Sequence, residues 1–206
     1  MHNYDSTRLR AAFKGLAPQD TENGRGDHDL NPGMIPPVQN RPAAVLIPIV
    51  ERDEGLTMLL TKRSEDLPVH PGQVSFPGGR AESHDDGPVD TALRETEEEV
   101  GIHRRHIDVV GQLDLYRTRT GFEITPVVGL LTPPFDMRAE PMEVQEIFEV
   151  PLAFFLDRGN HERHSREWNN QIRSFYAMPY GDYYIWGATA GMLVNFVDVL
   201  LPRVDA

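Results

Sequence analysis

The sequence predicts an α/β fold, and two kinds of periodicity predict it. Residues 43–50, 56–61, 107–115 and 123–131 are short runs rich in aliphatic and β-branched side chains, bounded by turn residues, as strands are. Residues 88–100 and the stretch ending at Leu201 instead repeat apolar side chains every three or four positions, which draws one stripe down a helix.

Taken in order, residues 6–16 fit a short amphipathic helix with Leu9, Ala12, Phe13 and Leu16 on one side and Ser6 as its cap. Residues 17–41 are rich in Pro, Gly, Asn and Asp and read as a linker, so an N-terminal extension over 1–41 precedes a domain over 42–206. The first two strands form a hairpin turning at Asp53 to Gly55, and Pro48 suits an edge or a bulge. A long loop then leads through Gly78 and Gly79 into an acidic loop and the first long helix. Pro88 suits a first helical position, and Gly101 ends the helix as a residue free to take positive φ. The strands at 107–115 and 123–131 flank a polar turn with Arg117, Arg119 and Gly121. Pro133 and Pro134 open a loop, and a strand follows Glu143. Residues 158–171 are polar, with His161 and His164 read as surface groups. A short strand at 173–177 precedes the last helix, whose Leu193, Val194, Val197, Leu200 and Leu201 face a core, and Trp186 reads as core packing.

With 206 residues the chain can bury a proper core. Thirty-two acidic against twenty basic residues give a net charge of −12, which argues against a nucleic-acid binder held by a basic face. The absence of cysteine excludes disulfides, thiolate nucleophiles and zinc–thiolate sites. No apolar run reaches the length of a membrane span and no signal peptide is evident, so a cytoplasmic protein without a membrane partner is expected. The oligomeric state stays open, a homodimer included.

Chemistry concentrates in Gly78 to Ile102. Val89, Ala92, Leu93, Thr96 and Val100 form the apolar stripe, and Glu95, Glu98 and Glu99 share a sector roughly opposite, turned away from that core. Like charges at this spacing cost a helix a few tenths of a kcal/mol per pair, and Arg94 is the only cation within 88–100. A solvated acidic face would explain a bare Glu-rich helix. Preceded by a glycine pair and an acidic loop, the carboxylates point instead to hard divalent cations such as Mg²⁺ or Mn²⁺.

This stretch resembles the Nudix box, Gly-x5-Glu-x7-Arg-Glu-apolar-x-Glu-Glu-x-Gly-apolar. Arg94 to Ile102 match its second half, with Thr96 at the position that is usually aliphatic. In the first half the glycine pair sits one residue early, which leaves Glu82, Asp85 and Asp86 open as the loop carboxylate. The segment from Leu59 to Gly79 is similar to the motif preceding the box in the coenzyme A pyrophosphatase branch. Gly72 and Phe76 fall on fixed positions, and Pro68 stands where that branch carries Arg. The strings Thr120 to Val128 and Ile185 to Ala190 are similar to the same branch.

The resemblance implies a Nudix α/β/α sandwich with a mixed sheet and a hydrolase that splits a diphosphate joining a nucleoside to another group. Coenzyme A or its thioesters would yield 3′,5′-ADP and 4′-phosphopantetheine. ADP-ribose, NADH or a related dinucleotide is the nearer alternative, and a binding module without turnover the farther one. Glu95, Glu98 and Glu99 would hold the metal, and Arg94 would tie the helix to a loop acid. Glu143, with Glu146 as rival, would add a carboxylate, and the general base stays open with Glu143 among the choices. Lys62, Arg63, His70, Gly78, Gly79 and Arg80 would contact substrate. The missing cation at Pro68 implies weak recognition of a 3′-phosphate, a preference for coenzyme A over dephospho-coenzyme A below about tenfold.

Overall fold

The computed structural model describes residues 4–16, 25–34, 41–168 and 171–201. Most of the predicted linker, 17–24 and 35–40, lies outside them. A mixed nine-stranded sheet carries the fold, with a three-stranded antiparallel sheet beside it.

The first helix, α1, spans Ser6–Phe13, and its cap is Asp5, whose carboxylate accepts from the Arg8 amide at 2.9 Å, rather than the expected Ser6. Leu9 and Phe13 are buried in the same cluster as the sheet, with Phe13 stacked on Phe196. Strand β1 (Arg25–Gly26) runs parallel to a later strand, so residues 25–34 are not a free tether.

Strands β2 (Arg41–Arg52) and β3 (Gly55–Arg63) form the expected hairpin, with Arg52 opposite Gly55. Short strands β4 (Val74–Ser75) and β5 (Gly78–Arg80) follow, then helix α2 (Pro88–Val100). The sheet is completed by β6 (Ile107–Gln112), β7 (Tyr116–Arg117), β8 (Phe122–Leu131) and β9 (Val144–Pro151). Pro48 is neither on an edge nor in a bulge, because β2 is central and parallel to β8 from Arg41 to Val50. On its other side β5 pairs only as far as Val45 and β3 starts at Ile49, so the missing N–H of Pro48 falls in the gap between two partners.

Alternation along the strands splits the core into two layers. Ala44, Leu46, Val50 and Leu59 meet Ala92 and Val100 of α2 on one face. Ile47, Ile49, Met58 and Leu60 face the other side, toward α1, α3 (Leu152–Leu156) and α4 (Ala188–Leu200). The result is the expected α/β/α sandwich. The small sheet comprises β10 (Glu162–Trp168), β11 (Gln171–Tyr180) and β12 (Tyr183–Trp186). It lays Met178 and Ile185 on that second core. Alternation therefore sends Trp186 to the outer face, where it packs half-buried against Phe175 and Tyr184 instead of entering the core. Among the described residues no helix is long and apolar enough to cross a membrane.

Candidate active site

The site is built where α2 lies against β5. Gly79 packs against the Glu95 carboxylate, which a Cβ there would displace, and Gly78 is fixed by its positive φ and by the β2 backbone, which a Cβ would overlap. Gly78 also donates its amide to Glu99 Oε2 at 3.1 Å. Gly101 ends α2 in the left-handed region, φ 69°, as its position predicts. Beyond it the chain folds back, and the amides of Arg138 and Glu140 donate to the otherwise unpaired Val100 and Glu99 carbonyls at 2.8 and 2.9 Å. That return brings Glu143 to the carboxylate cluster, with its own carbonyl accepting from the Ser64 amide.

Arg94 uses every N–H it has. Nε and Nη2 grip both oxygens of Asp85 at 2.8 and 3.0 Å, Nη2 also donates to the Arg80 carbonyl, and Nη1 donates to Glu95 and Glu98, each at 3.0 Å. Asp85 also accepts from Thr91 Oγ1 and the Glu82 amide, both at 2.8 Å. The loop acid that pairs with Arg94 is therefore Asp85. The Arg94 hydrogen bonds, with those from Glu82 and Thr91, hold the Asp85 carboxyl well below the usual carboxylate range.

Glu99 behaves in the opposite way. Sequence periodicity placed it on the face turned from the core, yet it is only 4 % exposed. On the helical wheel Glu99 falls about 20° from Ala92, at the margin of the stripe, and β5 covers that margin. Burial first, then the charges of Glu95 and Glu143, push its carboxyl up to about 8, against the Gly78 amide and Arg63. Burial also raises Glu95, with Arg94 opposing. Glu98 is largely exposed beyond its bond to Arg94. Thr96, at the usually aliphatic box position, is buried with its hydroxyl donating to the Ala92 carbonyl at 2.6 Å.

Five carboxylates, Asp85, Glu95, Glu98, Glu99 and Glu143, thus meet two guanidiniums, Arg94 and Arg63. The surplus of hard anionic oxygen suits a divalent cation. Arg63 Nε is buried without a hydrogen-bond partner among the described residues, a donor suited to an anion. As the side chains stand, no group of three His, Asp or Glu among the described residues surrounds one point able to hold a metal, and Arg94 engages Glu95 and Glu98.

The other predicted residues divide. Glu146, the rival of Glu143, accepts from the Tyr183 hydroxyl at 2.5 Å and does not join the cluster. Lys62 lies 3.9 Å from Glu65. His70 sits exposed in the loop at φ 58°, with its side chain making no hydrogen bond among the described residues, and Pro68 is exposed nearby. His161 and His164 have more company than expected. His161 Nε2 lies 2.7 Å from the Phe155 carbonyl, while His164 bridges Glu162 and the Tyr184 hydroxyl at 2.6 and 2.8 Å.

The family model of the NUDIX domain matches residues 40–168. Over 154 residues the chain is 42% identical to the "Uncharacterized Nudix hydrolase NudL" of Photorhabdus laumondii, spanning 75% of this chain and 82% of that one. It is 39% identical over 171 residues to "Nudix hydrolase 15, mitochondrial" of Arabidopsis thaliana, covering 80% and 60%. The crystal structure of a Nudix hydrolase from M. smegmatis, RenU, superposes with a TM-score of 0.52 at 17% identity over 81% of this chain and 91% of that one, a likeness of fold. The chain belongs to the Nudix family.

Proposed function

We propose that this Nudix protein hydrolyses the diphosphate of a nucleoside diphosphate derivative, with coenzyme A or a thioester of it as substrate. The observation that carries the reaction is the contrast inside one cluster. Asp85 is locked to Arg94, while Glu95, Glu98, Glu99 and Glu143 gather around too few cations. The coenzyme A assignment is supported by the resemblance of the segments Leu59 to Gly79, Thr120 to Val128 and Ile185 to Ala190 to the coenzyme A pyrophosphatase branch.

Glu95, Glu98 and Glu99 would hold Mg²⁺ or Mn²⁺. When bound, such an ion neutralises the diphosphate and lowers the pKa of water, worth several kcal/mol in the transition state. Cation binding requires a deprotonated Glu99 and an Arg94 that gives up part of its hold on Glu95 and Glu98. Arg94 keeps the helix registered to its loop through Asp85, so the helix carboxylates stay in place during that exchange. The unpartnered Nε of Arg63 can donate to a phosphate oxygen. Glu143 is exposed beside the cluster and is our general base, because a solvent-facing carboxylate can take the proton of the attacking water.

Chromatographic detection of the two phosphomonoester products from coenzyme A, its thioesters, ADP-ribose and NADH, each with Mg²⁺ or Mn²⁺, tests the reading. The highest kcat/KM on coenzyme A or a thioester is expected. A preference for ADP-ribose or NADH removes the substrate assignment, and no turnover of any of them removes the reaction.

A further inference from the structure

Two arginines stand opposite each other on the small sheet. The register of β10 and β11 sets Arg166 against Arg173 and, two residues on, Trp168 against Gln171, so all four side chains share one face. Like charges in directly opposed positions destabilise a sheet. Arg173 donates from Nη2 to Gln171 Oε1 at 2.8 Å, which turns its guanidinium toward the Trp168 end of the two strands. Its Nε is buried without a hydrogen-bond partner among the described residues. At that same end the turn after β7 brings in a third cation, Arg119, whose Cζ lies 5.4 Å from the centroid of the Trp168 ring. Asp27 fixes the turn by accepting the Arg119 amide at 2.8 Å.

The chain has acids enough to neutralise such a group, and it does so at other arginines. Arg25 pairs with Asp198, Arg52 with Glu149, and Arg104 with Asp90 and Glu97. Among the described residues the Arg119, Arg166 and Arg173 side chains pair with no carboxylate. Glu162 shares their face of β10 but lies within 2.6 Å of His164 Nε2, and Glu167 points to the opposite face by alternation. Trp168 is 49% exposed, so Arg119 covers only part of its ring.

Three cations and a half-exposed indole suit a small ligand that joins a phosphate to a planar ring system. Guanidiniums take phosphate oxygens through paired N–H donors, and an aromatic ring takes a base. A phosphate would give the buried Nε of Arg173 its missing acceptor and offset the opposition of Arg166 and Arg173. A long polyanion suits the place less well, because the net charge of −12 repels it beyond this patch. None of these four residues shares a hydrogen bond or ion pair with Asp85, Arg94, Glu95, Glu98, Glu99 or Glu143 among the described residues. We propose that Arg119, Arg166, Arg173 and Trp168 form a nucleotide site on the small sheet, separate from the carboxylate cluster, that binds a nucleoside monophosphate. This site goes beyond the hydrolase reading and does not depend on it.

Calorimetry on the full-length protein in EDTA, with AMP as the probe, reads the site without turnover. Arg166→Gln and Arg173→Gln should each weaken AMP binding about tenfold, as the loss of one charge-assisted contact allows, and Trp168→Leu should weaken it severalfold. Arg173→Lys should fall between wild type and Arg173→Gln, whereas Arg63→Gln, at the carboxylate cluster, should leave AMP affinity unchanged. Opposed like charges cost the empty sheet stability, so Arg166→Gln should melt no lower than wild type without ligand, and AMP should raise the melting temperature of wild type more. No AMP binding by wild type, or unchanged affinity in folded Arg166→Gln and Arg173→Gln, overturns the site. Loss of AMP binding in Arg63→Gln overturns it too, by placing the nucleotide at the cluster. Inorganic phosphate bound as tightly as AMP removes the nucleotide assignment. A uridine oligonucleotide bound more tightly than AMP, with a steep salt dependence, replaces that assignment with single-stranded nucleic acid.

Discussion

The acidic loop before α2 and the inner end of that helix each bury a carboxylate, and they treat it in opposite ways. Asp85 has a side chain only 1 % exposed, but two Arg94 nitrogens, a hydroxyl and an amide all donate to it, so it stays ionised far into acid. Glu99 has one amide, a distant attraction to Arg63 and two acidic neighbours, so it keeps its proton to about 8. Burial alone therefore does not set the role of an acid; the number of donors aimed at it does. The saturated carboxylate fastens the loop to the helix, and the starved one has capacity left for a cation.

The largest effect expected from breaking this contrast is in Glu99→Gln. It keeps the shape and removes the buried charge, so kcat at saturating Mg²⁺ should fall at least about a hundredfold with the circular-dichroism spectrum retained. Turnover near wild type would show that Glu99 is not part of the metal site. Asp85→Asn strikes the other side. It leaves Arg94 without its main anion, and chemical denaturation should show a loss of roughly 3 kcal/mol, the lower range for a broken buried pair. An unchanged unfolding midpoint would mean that the clamp is ornamental.

The pH dependence of the metal-free protein sharpens the comparison. Asp85 is depressed in the folded state, so its stabilisation is present above the ordinary value of 3.8 and is lost as pH falls below it. Glu99 is raised, so the folded protein binds a proton that the unfolded chain releases from 4.5 upward. Stability should decline as pH rises from 4.5 to about 8 and then level off. Melting temperatures in EDTA from pH 4 to 9 should show that decline in wild type and lose it in Glu99→Gln, while added Mn²⁺ should raise the alkaline side most because it binds the deprotonated acid. The smallest effect is expected at the two histidines in and just before β10. His161→Ala and His164→Ala should leave the Mn²⁺ concentration for half-maximal turnover unchanged, and a clear rise in either would place a metal ligand there.

The box helix was legible because its 3.6-residue stripe, Pro88 and Gly101 all act within a few turns of chain. Strands β2, β3, β6 and β8 were legible for the same reason, through alternation and turn residues. Strand β10 was not. Its side chains are mostly polar and exposed on both faces, so no period marks it, and backbone pairing with β11 is what forms it. The residue that pairs with Arg94 could not be read either. Glu82, Asp85 and Asp86 stand within a few residues of one another, and only the path of the loop aims one of them at the guanidinium.

The sequence by itself determined what depends on neighbours along the chain: the α/β class, the helix carrying Glu95, Glu98 and Glu99, the hairpin at Asp53 and Glu54, and a charge too negative for a basic nucleic-acid face. Tertiary structure decided what depends on groups far apart in sequence. It laid β5 over the margin of α2 and so buried Glu99. It folded residues 138–143 back onto the helix end, which chose Glu143 over Glu146 as neighbour of the cluster. It also set Arg119 of the turn after β7 over Trp168 of the small sheet. Desolvation and strand register act through space, and a pattern read along the chain carries no measure of either.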